Sequence, residues 1–419
     1  MRRQSRFGLC FITLVLWISP VCAAEPELRD GNSLVREIFS LLDARLALMP
    51  DVAAAKWLAG QPVSDPVREA AVIKAAGEAA AHRGLADAPV EALFKQQIAL
   101  ARESQANWME RWRVEGSAPT AARSLRDDLR PAIDRLTQAL LRSLALAAPY
   151  VTTSDLKELS GSLPTERWSA RDREVAAEII RSIYLDAPRT PSRASASGVL
   201  RIGVPGDYAP FATSSRGRLA GADVELTQQI ARTLGLEPVY IRSSWAKLLD
   251  DLDADRFDLA AGGISVTAAR RARASFSRPL VQGGKTAIGR CADRDRFSSI
   301  DRIDQPDVRV IENPGGTNEL FARRILSRAQ LTIHPENLTI FRELVEGRAD
   351  VMYTDDLEIA HVARVEPSLC RLLDTVFDPA DKALLLPMGD DWARFIGPAL
   401  DAELDSGAYQ RALDQAITH

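Results

Sequence analysis

Two domains of different class are predicted, an all-α domain followed by a two-lobed α/β domain, and three observations carry this. At 419 residues the chain is too long for one ordinary domain. From about residue 27 to 187 its apolar residues recur only with helical spacing. From 199 onward, short β-rich runs alternate with amphipathic helical patterns, the rhythm of an α/β fold.

The elements follow in order. Arg2, Arg3 and Arg6 precede an apolar stretch at 7–19, and Val21-Cys22-Ala23 then supplies small residues for cleavage. The stretch is shorter than the ~20 residues needed to span a bilayer. Residues 1–24 are therefore expected to be a signal peptide, giving a secreted, periplasmic protein that leaves no part in the membrane.

Residues 25–187 form the expected all-α domain. Heptad-like apolar spacing runs through LVREIFSLLDARLALM and VEALFKQQIALARESQANWMERW. Ser64-Asp65-Pro66 places a cap and a first-turn proline before a new helix, and Gly84 marks a helix end. No strand is expected here. Residues 188–198 (PRTPSRASASG) lack apolar periodicity and read as a linker.

In residues 199–419, VLRIGV, EPVYIR, FDLAAGGIS, KTAIGR, VRVIE, QLTIHP, ADVMYT and ALLLP read as strands between helices such as ADVELTQQIARTLG. They divide into one lobe of about 199–288 with 382–419 and another of 289–381. A cleft between such lobes suits a small molecule.

Composition narrows the function. A net charge of -4 offers no field for nucleic acid, and 4 His without Cys at ligand spacing predict no metal site. Signal removal would leave two cysteines, Cys291 and Cys370, which are expected to form a disulfide after export.

In the helical domain, Arg45 and Lys56 are eleven residues apart and share one face if their helix is continuous. Arg68 and Glu69 open the next helix, Gln105 lies on the third long helix and Arg130 on a fourth. Singly, each reads as a solvated charge on a bundle. Together, LLDARLALMPDVAAAKW, DPVRE and FKQQIALARESQ resemble the secreted gamma-class chorismate mutases over about residues 30–185. The resemblance implies that Arg45 and Arg130 clamp the two substrate carboxylates. It puts Lys56 and Gln105 on the ether oxygen, with Arg68 nearby, and Glu69 on the substrate hydroxyl. Ala101 departs from the family, which has Ser or Thr there contacting a carboxylate. No cofactor is implied.

GVLRIGVPGDYAPF, ADVELTQQIARTLG and SGAYQRALDQAI resemble periplasmic amino-acid-binding proteins. GGKTAIGRC, VIENPGGTNELFAR, IHPENLTIF and MYTDDLE narrow the resemblance over about 199–417 to the cyclohexadienyl dehydratases, which share that fold. NPGGTNE follows a strand and opens a helix. Its glycines bring backbone N–H groups to an anion, and without a Lys-Ser/Thr ending it fits a carboxylate better than a phosphate.

The resemblance places Asn313, Thr317 and Asn318 around the substrate and Arg270 on its carboxylate. Trp245 and Lys285 line the cleft, and Asp207 and Tyr208 sit in a first-lobe loop. Glu358 would be the general acid, its pKa raised by burial or by Asp355 or Asp356. Read alone, it is an idle glutamate at a helix N-terminus.

The implied activity is bifunctional. Chorismate becomes prephenate, and prephenate or arogenate then becomes phenylpyruvate or phenylalanine. A competing reading makes the second half a non-catalytic binding module for an aromatic acid or amino acid. The expected partners are these small molecules, with a homo-oligomer left open.

Overall fold

The computed structural model describes residues 26–151, 155–183 and 190–418. The segment read as a signal peptide lies outside the described residues.

The first domain is helical: α1 Gly31–Ala47, α2 Met49–Leu58, α3 Pro66–His82, α4 Asp87–Glu115, α5 Arg130–Val151, α6 Leu156–Ser160 and α7 Ala170–Ser182. Asp30 caps α1 by accepting from the Ser33 N–H, and Asp65 caps α3 ahead of Pro66. The helix expected to carry both Arg45 and Lys56 is interrupted at Leu48, because Pro50 in the first turn of α2 has no N–H to continue the α1 ladder. Leu34, Ile38 and Leu42 of α1 pack against Leu140, Leu141 and Leu144 of α5, all essentially fully buried.

The second domain contains two six-stranded sheets and a small one of three strands. Its first strands are β2 Val199–Val204, the short β3 Asp207–Tyr208, β4 Ala212–Ser215 and β5 Arg218–Ala220, then β6 Glu237–Arg242, β7 Leu259–Ala260 and β8 Ser275–Phe276. The small sheet is β3-β4-β5. There follow β9 Val281–Arg290, β10 Arg309–Glu312, β11 Gln330–Ile333, β12 Val351–Asp355, β13 Leu369–Arg371, β14 Phe377–Lys382 and β15 Leu385–Leu386. The first-lobe sheet has the order β1-β6-β2-β7-β15-β8, where β1 is Leu28–Arg29. The second-lobe sheet runs β11-β10-β12-β9-β13, with β14 also on β9.

Three expectations need correction. Strand β9 pairs antiparallel with β12 along Val351↔Gly289 to Asp355↔Lys285, so it belongs to the second lobe, and the chain crosses between lobes before 281 rather than near 288. The stretch read as a linker holds helix α8 Pro191–Ser197, capped by Thr190 and ended by Gly198 at φ +70. Its Ala194 is fully buried against the first-lobe core. Finally, the N-terminal part does contribute a strand. β1 pairs parallel with β6, because an uncovered sheet edge offers unpaired N–H and C=O groups to any extended segment nearby.

All six residues of β2 are buried, as in a sheet covered on both faces. Leu200, Ile202 and Val204 meet the helix Ala222–Thr233 and the C-terminal helices. Val199, Val239 and Ile241 belong to the same apolar cluster as the α1 and α5 leucines. The two domains therefore share a core.

Candidate active sites

The helical domain encloses a cavity of about 610 Å³ between α1, α2, α3, α4 and α5. All six cavity residues expected from the sequence line it: Arg45, Lys56, Arg68, Glu69, Gln105 and Arg130. Arg45 is buried, donates from Nη1 to the Ile133 carbonyl at 3.3 Å and to the Thr137 hydroxyl, and lies 5.0 Å from the Phe94 ring centre. Burial lowers its pKa to about 10, and Asp134 acts against that. It remains a guanidinium at neutral pH.

Lys56 Nζ donates to the Val63 carbonyl at 2.5 Å. Burial lowers its pKa, while Asp65 and Glu69 hold it up. Glu69 accepts from the Asp65 N–H at 3.0 Å and stands 3.7 Å from Arg102. Gln105 is buried, donates to the Ala101 carbonyl at 3.0 Å, and leaves Oε1 without a partner. Gln97 and Thr137 also line this cavity, and the sequence reading missed both.

The second site is the seam between the α/β lobes, closed on a void of about 20 Å³. Trp245, Arg270, Lys285, Asn313, Thr317 and Asn318 line it. Asp207 and Glu358 do not; Asp207 is hydrogen-bonded to Trp245, and Glu358 is linked to Asn318 through the Thr354 hydroxyl. Asp207 accepts from the Trp245 indole N–H at 2.9 Å, and its carbonyl accepts from Asn337 across the lobes at 2.9 Å. Arg270 donates to the Ser265 carbonyl at 2.9 Å, and burial lowers its pKa to about 10. The NPGGTNE turn does open the helix Thr317–Ile325. Gly315 there has φ +75, and a Cβ would stand 2.6 Å from the Ala246 Cβ, so only glycine lets this turn approach the first lobe.

Glu358 is fully buried near the start of the helix Asp356–Val365, and the Thr354 hydroxyl donates to it. Asn318 Nδ2 reaches the same Thr354 hydroxyl at 3.2 Å. Burial, with the negative charge of Asp355, pushes the Glu358 carboxyl up to about 8. Asp355 is the opposite case. Burial alone would raise it, but Lys285 at 3.0 Å and Lys382 at 2.5 Å hold it well below the usual carboxylate range.

Lys382, Ser265 and Asn337 were missed from the sequence, and Tyr208, which donates to Asp355, was read only as a loop residue. The one signal for Lys382 is a cation placed directly before the apolar run ALLLP. The Cys291 and Cys370 sulfurs are joined, with Cα atoms 5.2 Å apart, beside β9 and β13.

Residues 200–418 match the bacterial extracellular solute-binding proteins, family 3. The chain belongs to this family. Ahead of that solute-binding domain, residues 33–106 match chorismate mutase type II. The cyclohexadienyl dehydratase of Pseudomonas aeruginosa is 42% identical over 225 residues, covering 53% of this chain and 84% of the relative. The L-cystine-binding protein TcyJ of Escherichia coli K12 is 24% identical over 220 residues, 52% of this chain and 82% of the relative.

An arginine-bound amino-acid transporter substrate-binding protein from Streptococcus pneumoniae shares the fold of this family member. Its TM-score is 0.51 at 24% identity, over 54% of this chain and 97% of that one. Among the described residues, no helix is long and apolar enough to cross a membrane.

Proposed function

We propose that the chain is an exported, periplasmic bifunctional enzyme of phenylalanine biosynthesis. Its helical cavity rearranges chorismate to prephenate, and its interlobe cleft converts prephenate, or arogenate, to phenylpyruvate or phenylalanine. The observation that carries the second activity is Glu358, a buried carboxyl pushed up to about 8 and linked through the Thr354 hydroxyl to Asn318 of the cleft lining. The 42% identity to a cyclohexadienyl dehydratase supports it. A carboxyl that keeps its proton at neutral pH suits a general acid.

In the first step no covalent bond to protein is needed. Arg45 and Arg130 would hold the two carboxylates so that the reacting carbons approach within one molecule. Lys56 and Gln105 would stabilise negative charge developing on the breaking ether oxygen, while Glu69 accepts from the substrate hydroxyl. A cavity of about 610 Å³ is ample for a ten-carbon dicarboxylate.

In the second step the ring carboxylate leaves as CO2. Its bonding pair enters the ring, and the C–O bond to the ring hydroxyl breaks. Glu358 would give its proton to that hydroxyl, so that water departs, and then regain a proton from solvent. Arg270, Lys285 and the helix N-terminus at Thr317 and Asn318 would take the side-chain carboxylate. A void of about 20 Å³ cannot hold the ring, so the lobes must separate to admit substrate.

The test follows absorbance from chorismate to phenylpyruvate with wild type, Lys56→Ala and Glu358→Gln. Wild type should complete both steps, Lys56→Ala should leave chorismate unconsumed, and Glu358→Gln should accumulate prephenate. Wild type that stops at prephenate would make the second half a binding module.

A further inference from the structure

Gln97 lies on α4 one helical turn before Ala101 and two before Gln105, so the three share one face. That face is the wall of the helical cavity. Gln97 is 2% exposed, and neither its Nε2 nor its Oε1 has a hydrogen-bond partner. A buried amide with both ends unpaired is rare in a folded protein, and the cavity is the place from which a partner could come.

A second unpaired group lies close by. Arg45 uses Nη1 on Ile133 and Thr137, but its Nε is buried without a partner. Its guanidinium stands over Phe94, which lies three residues before Gln97 on α4. The cavity lining therefore presents, near Phe94, an N–H of a guanidinium and the two hydrogens of an amide, and no acceptor within the protein takes them. A carboxylate, with two oxygens and about four lone-pair directions, fits that pair of donors. At the same wall, Ala101 has no hydroxyl to offer.

We propose that Gln97 is a substrate-binding residue of the mutase site, donating from Nε2 to the carboxylate that Arg45 clamps and replacing the hydroxyl absent at Ala101. This rests on the mutase reading above. The oxygen of the amide would be repelled by the bound carboxylate, so the bound amide presents its nitrogen. The device relocates one hydrogen bond along the helix by a single turn.

The experiment measures KM and kcat for chorismate in the full chain. Variants are Gln97→Leu, Ala101→Ser, and Gln97→Leu with Ala101→Ser, with prephenate turnover followed in each as a check on the second domain. Gln97→Leu should raise KM about tenfold, as expected for one hydrogen bond to a charged group, with a smaller change in kcat. Adding Ala101→Ser to it should recover most of that loss. Ala101→Ser alone should change KM less than twofold, because the carboxylate already has its donor.

An unchanged KM in Gln97→Leu would overturn the proposal. If Gln97→Leu fails to fold, Ala101→Ser alone still decides: a several-fold drop in its KM would mean that the carboxylate lacks a partner and that Gln97 does not serve it. Wild type that leaves chorismate unconsumed would instead remove the mutase reading itself.

Discussion

Asp355 and Glu358 stand three residues apart at one helix N-terminus, and the fold gives them opposite protonation states. Asp355 meets the ammonium groups of Lys285 and Lys382 and stays ionised. Glu358 is equally buried but forms no ion pair among the described residues; its hydrogen bond comes from the Thr354 hydroxyl, and burial pushes its carboxyl up to about 8. Glu358→Gln keeps the shape and loses the proton. Dehydration should fall by at least a hundredfold with the mutase rate unchanged, as judged by prephenate accumulation.

The acid role fixes a pH profile. Glu358 is protonated below about 8, so the dehydratase kcat should be level through neutrality and fall about tenfold per unit well above 8. A profile recorded from pH 6 to 10 tests this. A falling limb already centred near 5 would mean that burial does not hold the proton.

Stability should report the same group with a definite sign. The folded value of Glu358 lies above its ordinary 4.5, so the folded state keeps a proton that the unfolded chain releases. Stability from this group is complete below 4.5 and is lost as pH rises towards about 8, with a ceiling of roughly 5 kcal/mol. Gln cannot ionise. The melting temperature of Glu358→Gln should therefore gain on wild type between pH 5 and 8 and hold a constant lead above 9. A gap that does not change with pH contradicts the assignment.

Lys382 offers a test of substrate choice. It is buried, donates to Ser265 at 2.9 Å, and covers one oxygen of Asp355. Lys382→Met leaves that oxygen with the Tyr208 hydroxyl as its donor and removes a cation that a substrate ammonium could replace. Turnover of prephenate should drop about tenfold or more, and the ratio of arogenate to prephenate kcat/KM should rise. Equal losses on both substrates would show that Lys382 does not discriminate between them.

The Cys291–Cys370 bond closes a loop of sequence separation 79 within the second lobe. Constraining such a loop in the unfolded chain contributes about 2–4 kcal/mol. Reduction with dithiothreitol should speed thermal inactivation of the dehydratase and leave mutase activity at 25 °C intact. Both activities are read from the same heated sample.

The six cavity residues were legible through the family resemblance, since spacing alone reads each as a solvated charge. What spacing and caps did mark is the helix start at Asp65 and Pro66, with Arg68 and Glu69 on its first turn. Gln97 was not legible, since on α4 it resembles any polar residue of a long amphipathic helix. Only the packing of α1, α2 and α3 against α4 leaves its amide buried and unpaired. Lys382 was missed for a related reason, because its partner Asp355 lies 27 residues earlier in the chain.

By itself, the sequence determined the two fold classes and the order of the domains, and its resemblance to two families supplied the chemistry expected of each site. The fold classes depend on periodicity, which survives without tertiary contacts. Tertiary structure alone decided how the domains join. Strand β1 completes the first-lobe sheet, Tyr150 of α5 lies under the Arg256 guanidinium at 5.4 Å, and one apolar cluster runs through both domains. Val199, Val239 and Ile241 carry no mark in the sequence of which neighbour covers them, because apolar burial has no direction until surfaces meet.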